Sequence, residues 1–256
     1  MGPHKGFRTR KKLDILAKTS DIPGLAGQFE TFIRRFRTIA FLLVLIPIFL
    51  LSMACMGLAS APGIFIWNWL YEVSMSWTPV LRFVSLGIGL SFAYLVYGIS
   101  LIFIVPLVNF LLPLRLKEWR GIWFSLQTIP WYAHNALTYV VRYTFLEFVT
   151  PTPLNVLFYK MMGMKIGKGV VINTTHISDP CMITIEDYVT IGGSAHIFAH
   201  YGQKGILIVS PVVIKKGATI GLKSSIMGDV VIGEKAIVKP HTAVMPKTRV
   251  PDGATI

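Results

Sequence analysis

Six histidines are the side chains of this chain that trade protons near neutral pH, and two of them stand where a regular pattern breaks. His196 and His200 lie four residues apart at the root of the stretch His200-Tyr201-Gly202-Gln203-Lys204-Gly205, which carries no aliphatic residue. An imidazole with its ordinary pKa of about 6.5 is mostly neutral at cytoplasmic pH. It can take a proton from a hydroxyl or amine as that group attacks. We read His200 as this base and His196 as the alternative. His176 is expected to be packed and His134 to lie at an interface, with a place in a neighbouring subunit's groove as the alternative reading of His241. Cys55 and Cys181 are far apart and lack zinc-type spacing, which fits free thiols in a reducing compartment.

The pattern that breaks is a six-residue period. From Ile214 every sixth residue is Ile or Val: Ile220, Ile226, Ile232, Val238, Val244, Val250 and Ile256. Four residues after each of the first seven stands a small or β-branched residue: Ala218, Ser224, Val230, Ala236, Thr242, Thr248 and Ala254. Six is too short for a helical repeat and does not fit simple alternation, so it specifies a short strand and a turn. Three such units make a coil of about 18 residues, and coils must stack to bury their apolar sides. The frame slips twice. Ile172 to Ile185 is 13 residues, one more than two periods, and Ile197 to Ile214 is 17, one short of three. The histidine-rooted loop falls in the second slip.

These residues resemble the hexapeptide-repeat acyltransferase superfamily, whose unit is an aliphatic residue, a small or acidic one, two free positions, then a small or β-branched residue. IGKGVV from Ile166, IEDYVT from Ile185, IGGSAH from Ile191, IGLKSS from Ile220 and IGEKAI from Ile232 fit it. The resemblance covers residues 166–256 and implies a left-handed parallel β-helix. It also implies a homotrimer with acyl-CoA (or acetyl-CoA) as co-substrate in a groove between subunits, no permanent cofactor, and a catalytic histidine on a loop leaving the coil. By the same resemblance Gly221, Leu222, Lys223, Lys239 and Pro240 are expected at the CoA arm, with Lys215 and Lys216 as phosphate partners. The closer likeness is to the membrane-linked repeat domains of amide-forming peptide synthetases. There a Thr-His pair precedes the loop, and here the aligned pair is Ala199-His200. Amide formation from carrier-bound aminoacyl thioesters is therefore a second expectation. A γ-type carbonic anhydrase, which needs three converging histidines, and a non-catalytic trimeric scaffold are the rivals from other classes.

The elements before the repeat must position it, and composition says where. The chain carries 25 Lys and Arg against 12 Asp and Glu, yet only 14% of its 256 residues are charged, against about 25% in soluble domains. Residues 38–59 carry no charge, and residues 80–112 carry only Arg82; each is long enough to cross about 30 Å of hydrocarbon. Aromatic residues Trp67, Trp69, Tyr71 and Trp77 mark the stretch between as a membrane-interface loop. Arg34, Arg35 and Arg37 precede the first span, and Arg115, Lys117 and Arg120 follow the second, so both ends lie on the cytoplasmic side. This predicts a multi-pass protein of a bacterial-type inner membrane, with lipid and an amphiphilic or lipid-linked acceptor as partners and no nucleic acid. The expected division is a basic cytoplasmic arm (1–37), two spans (38–112), interfacial amphipathic helices with a connector (113–164), and the β-helix (165–256). In the third part, the stripe Leu126, Ile129, Ala133, Leu137, Val140 and Val141 predicts a helix whose other face, with His134, Asn135, Arg142 and Glu147, meets headgroups. Thr150-Pro151-Thr152-Pro153 ends it.

Overall fold

The computed structural model describes residues 14–256; the first part of the basic arm, with Lys5, Arg8, Arg10, Lys11 and Lys12, lies outside the described residues. Helix α1 (Gly24–Arg35) leads into α2 (Arg37–Val73) and α3 (Pro79–Leu111), two antiparallel rods covered by exposed Leu, Ile, Phe and Val. Both are long and apolar enough to cross a membrane. At 37 residues α2 outruns the span read from sequence. The aromatic stretch after Ser60 is helical through Val73, and Pro47 and Pro62 sit inside the rod, because the apolar run itself does not stop there. Pro106 likewise lies within α3. Gly98 of α3 gives way to Phe145: a Cβ there would fall 2.0 Å from that ring, so only glycine lets the next segment dock.

After α3 comes a short strand, β1 (Trp119–Ile122), then α4 (Ile129–Val141), a π-helical turn over Arg142–Leu146, and α5 (Pro153–Met161). Pro153 takes the first turn of α5, where its missing N–H costs nothing, and Thr152 Oγ1 accepts from Leu154 N–H at 3.2 Å. The polar face of α4 does not meet headgroups. His134, Asn135 and Arg142 are buried with Ala133 and Leu137; Asn135 and the His134 Nδ1 find protein partners there.

The repeat follows as β2 (Lys165–Ile166), β3 (Val171–Ile172), β4 (Ile177–Ser178), β5 (Ile183–Ile185), β6 (Thr190–Ile191) and β7 (His196–Phe198). A hairpin, β8 (His200–Gln203) and β9 (Ile206–Val209), interrupts it. It resumes with β10 (Val212–Ile214), β11 (Thr219–Ile220), β12 (Ser225–Ile226), β13 (Val230–Ile232), β14 (Ile237–Val238), β15 (Ala243–Val244) and β16 (Arg249–Val250). The chain visits three parallel sheets in a fixed cyclic order: β2-β5-β10-β13-β16, β3-β6-β11-β14 and β4-β7-β12-β15. Val212 pairs with Val230, Thr219 with Ile237 and Ser225 with Ala243, an offset of 18 residues in each sheet. The aliphatic positions Ile214, Ile220, Ile226, Ile232 and Val238 are fully buried, as are the small partners Ala218, Ser224 and Ala236.

The turns share the period. Gly217, Lys223, Asp229, Lys235, His241, Lys247 and Gly253 all have positive φ, between 53° and 72°. Five of them are non-glycine residues in a region costing about 1 kcal/mol or more each, which persists because the stacked backbone over-determines it. Six residues beyond Ser194 (φ 53°) the next such corner would fall at position 200. There the chain leaves the coil as the hairpin instead, and rejoins at Pro211 and Val212. The sequence reading had a loop here. The structure has strands, because β1 supplies the missing partner: Trp119 to Ile122 pairs antiparallel with Val209 to Ile206. Helix α5 covers the first coil, with Phe158 and Tyr159 fully buried, Asn155 Nδ2 donating to Ile172 O at 2.8 Å and Tyr159 Oη to Thr175 O at 3.0 Å.

Candidate functional site

His200 begins β8, at the edge where the coil opens. Its Nδ1 lies 2.5 Å from Asp179 Oδ2, and a fifth of its side chain remains exposed (20%) while that of Asp179 is wholly buried (0%). Asp179 follows β4 and takes a left-handed backbone, φ 58°, which turns its carboxylate toward the hairpin. The other oxygen, Oδ1, accepts from Asn135 Nδ2 at 2.7 Å, and Asn135 Oδ1 accepts from the Asp179 backbone N–H at 3.2 Å. Asn135 Nδ2 also donates to Trp131 O at 3.0 Å, which ties the amide to α4. The Trp131 ring stands edge-on to His200, centroids 5.0 Å apart, with Phe198 at 5.8 Å on the other flank.

The electrostatics follow from this. A buried carboxylate needs partners. Asp179 receives the Asn135 amide and the His200 imidazole. With the proton on Nδ1 directed at the carboxylate, Nε2 is the nitrogen left to accept another, and a developing imidazolium meets an anion already in place. His134, the residue before Asn135 on α4, is buried with Nδ1 3.0 Å from Asn109 Oδ1. Burial pushes its pKa down to about 4 although Asp179 pulls the other way, so it is a neutral packing residue. Burial first, and the Asp179 charge second, push the Cys181 thiol up to about 12, which removes it as a nucleophile.

His196 is not beside His200 in function of geometry: it points outward from β7 and packs against His176 of the preceding coil, centroids 4.5 Å apart. His176 is thus half-buried against a partner ring rather than inside the coil. Gly221, Leu222, Lys223, Lys239 and Pro240 come together at one corner, following the second sheet: Lys223 N–H donates to Gly193 O, and His241 N–H to Leu222 O, each at 2.9 Å. That corner is at the opposite end of the third-sheet strands from His200, so within one chain the five do not meet it. His241 is exposed on the same corner. Lys215 pairs with Asp252 at 3.4 Å, and Lys216 uses its backbone N–H on Glu186. Among the described residues no three His, Cys, Asp or Glu side chains converge as a metal set.

Sequence reasoning missed Asp179 and Asn135. Asp179 was visible only as an acid in the first frame slip, and Asn135 as a polar residue on a helix assigned to headgroups. Gly228 was missed too. A Cβ there would lie 3.0 Å from Ala199 C and His200 N, so its backbone abuts the backbone of His200 directly. A groove of about 430 Å³ opens beside it, lined by Tyr201, Gly202 and Gln203 of the hairpin and Met227, Met245, Pro246 and Lys247 of the coils. A second cavity, about 450 Å³ between α5 and β3, has Lys160 as its one ionisable lining group.

No family model matches the chain. A delta-poly-L-ornithine synthetase of Acinetobacter baumannii is 31% identical over 97 residues, which is 38% of this chain but 7% of that protein. The chain therefore spans a small fraction of the relative it matches. Among solved structures, a hexapeptide-repeat acetyltransferase of Vibrio cholerae aligns over 48% of this chain and 84% of its own, at 15% identity and a TM-score of 0.36. A serine acetyltransferase of Brucella abortus aligns over 80% and 69%, at 14% identity and a TM-score of 0.35. The six-residue period and the three stacked parallel sheets make the last third of the chain a stack of six-residue repeats.

Proposed function

We propose that the protein is a membrane-anchored acyltransferase in which His200 is the general base. The observation that carries the reading is the 2.5 Å contact of His200 Nδ1 with the buried Asp179 carboxylate, at the one point where the coil opens. An acyl thioester is already activated, so no covalent enzyme intermediate is needed. His200 Nε2 takes the proton of an acceptor hydroxyl or amine as that atom forms its bond to the thioester carbon. The carbonyl becomes an oxyanion, stabilised by one backbone N–H of the next coil, for which Gly228 is the candidate. Collapse breaks the carbon–sulfur bond, and the thiolate leaves with the proton that His200 holds. Ester or amide and free thiol are the products.

The groove beside Tyr201 supports entry of a thioester arm at this edge. The Gly221–Pro240 corner is at another edge, which supports a homotrimer whose neighbour supplies the CoA contacts with acyl-CoA or acetyl-CoA as donor. In this reading the coil is left-handed, α2 and α3 cross a bacterial-type inner membrane, and residues 165–256 work on its cytoplasmic side, with the arm (1–37), spans (38–112) and connector (113–164) before them. Thiol release from a panel of acyl-CoAs by purified protein in nanodiscs tests it; no release above background from any donor, with a lipid extract as acceptor, counts against it. The likeness to the poly-ornithine synthetase favours a second reading, amide formation on an amine from a carrier-bound aminoacyl thioester. Release from aminoacyl thioesters, and none from acyl-CoAs, selects it.

A further inference from the structure

The outward face of the third sheet carries a cluster that this chemistry leaves unused. His176 and His196 stand on successive coils, and Phe198, two residues along β7, lies 5.7 Å from His196 and 5.8 Å from His200. Arg142, in the π-helical turn after α4, lies near this face: its ring neighbour Tyr139 is hydrogen-bonded to Ser178 of β4 at 2.9 Å, and the Arg142 charge acts on both imidazoles. It is 8% exposed, and its guanidinium carbon lies 4.9 Å from the Tyr143 ring centre and 5.7 Å from that of Tyr139. Among the described residues it forms no ion pair. The acid of the neighbourhood, Glu147, is exposed and accepts from Thr175 Oγ1. The His176 Nδ1 is buried and unpartnered.

A nearly buried guanidinium without a carboxylate keeps its donors free to give. The two tyrosine rings favour its charge but satisfy none of its five N–H donors. Burial and then the Arg142 charge make both imidazoles less basic; for His176 the neighbouring His196 adds to this and Glu147 opposes it. Each imidazole is thereby kept neutral, with one N–H to give. The cluster is a set of donors, held in place before any ligand arrives, and the carboxylate near it, Glu147, is engaged by Thr175.

We propose that Arg142, His176 and His196 bind an oxyanion, phosphate or carboxylate, carried by the acceptor, and so present its nucleophile to His200 across the Phe198 ring. The word acceptor rests on the acyl-transfer reading; the oxyanion site does not. The test uses the full chain with ¹⁵N-labelled histidine in phosphatidylcholine nanodiscs, without any donor. Inorganic phosphate should give saturable shifts of the His176 and His196 resonances while His241 stays still. Phosphatidic acid in the nanodisc giving the same shifts without added phosphate would identify a lipid headgroup as the source. Arg142→Gln should weaken the response by roughly 10-fold or more, and Arg142→Lys by less. Should Arg142→Gln fail to fold, His196→Asn, on an outward-facing position, reads the same loss at His176. No saturable shift with either probe, or an unchanged response in Arg142→Gln or His196→Asn, overturns the site. An anion response in protein that releases thiol from no donor supports the oxyanion site and contradicts acyl transfer alone.

Discussion

Residues 212–256 and residues 165–211 are built from the same six-residue unit and differ in what they bury. In the later coils Ser224 is the buried polar residue, and Ile214, Ile220, Ile226, Ile232 and Val238 fill the interior. The earlier coils bury Thr174, Thr175, Ser178, Asp179 and Ser210, and the helices packed on them bury His134, Asn135, Thr138, Arg142 and Asn155. A buried polar group costs free energy unless it is paired. Where the period is strict one buried hydroxyl, donating to Gly221 O, is the whole of this cost, and apolar burial holds the coils together. Where it slips, Asp179, Ser178, Thr175 and Ile172 are paired with Asn135, Tyr139, Tyr159 and Asn155 of α4 and α5, and His200, the proposed base, stands among them. The slip that frees position 200 from a corner also gives the hairpin, and β1 anchors that hairpin to the helical part.

The comparison breaks most sharply at Asp179. Asp179→Asn keeps the shape but offers an N–H where the carboxylate accepted one, so Nε2 loses its role as acceptor. Turnover should fall by roughly 10²-fold or more, with assembly unchanged by native mass spectrometry. Asn135→Leu, which removes the support from α4, should cost about 10-fold in the same assay, since the carboxylate keeps its imidazole partner. In the later coils the order reverses. Ile220→Ala should lower unfolding free energy by about 2–5 kcal/mol in denaturant titration and leave turnover per folded molecule unchanged. Equal loss of turnover in Ile220→Ala and Asn135→Leu would erase the distinction between the two regions.

A smaller effect is set by pH. His134 is held neutral down to about 4, whereas in the unfolded chain it takes a proton near the ordinary value of about 6.5. Between these values the unfolded state binds more protons, so stability is complete above about 6.5 and falls as pH drops toward 4, by on the order of 3 kcal/mol. His176 and His196, both shifted down, add to the same trend. Thermal unfolding of His134→Asn should show a flatter pH dependence than the native chain. The smallest effect is expected at His196, whose imidazole lies away from Asp179: His196→Ala should reduce turnover less than 10-fold.

The regular coils were legible because aliphatic side chain and small partner both recur at six, whereas the corner residues share the period only in their backbone. The two apolar helices were legible from length and charge, although α2 runs past its expected end because aromatic residues at an interface and aromatic residues on a helix look alike in sequence. His200 stood out as the residue at the break. Its partner did not, because Asp179 reaches it from 21 positions earlier through a left-handed turn, and a contact across coils leaves no local pattern. Asn135 was hidden further still. An amphipathic helix facing lipid headgroups and one facing a polar protein surface have the same sequence period, and only tertiary packing separates them. The strand β1 was missed for a related reason: four residues next to a basic turn have no strand signal until β9 is placed beside them.

The most direct test of the account is chemical rescue of His200→Ala. Thiol release from the preferred donor should fall by roughly 10²–10⁴-fold in His200→Ala, with donor affinity and assembly unchanged, and added imidazole should restore part of it in a saturable manner. Native turnover in His200→Ala without imidazole would contradict the assignment of the base and, with it, the reading of the site.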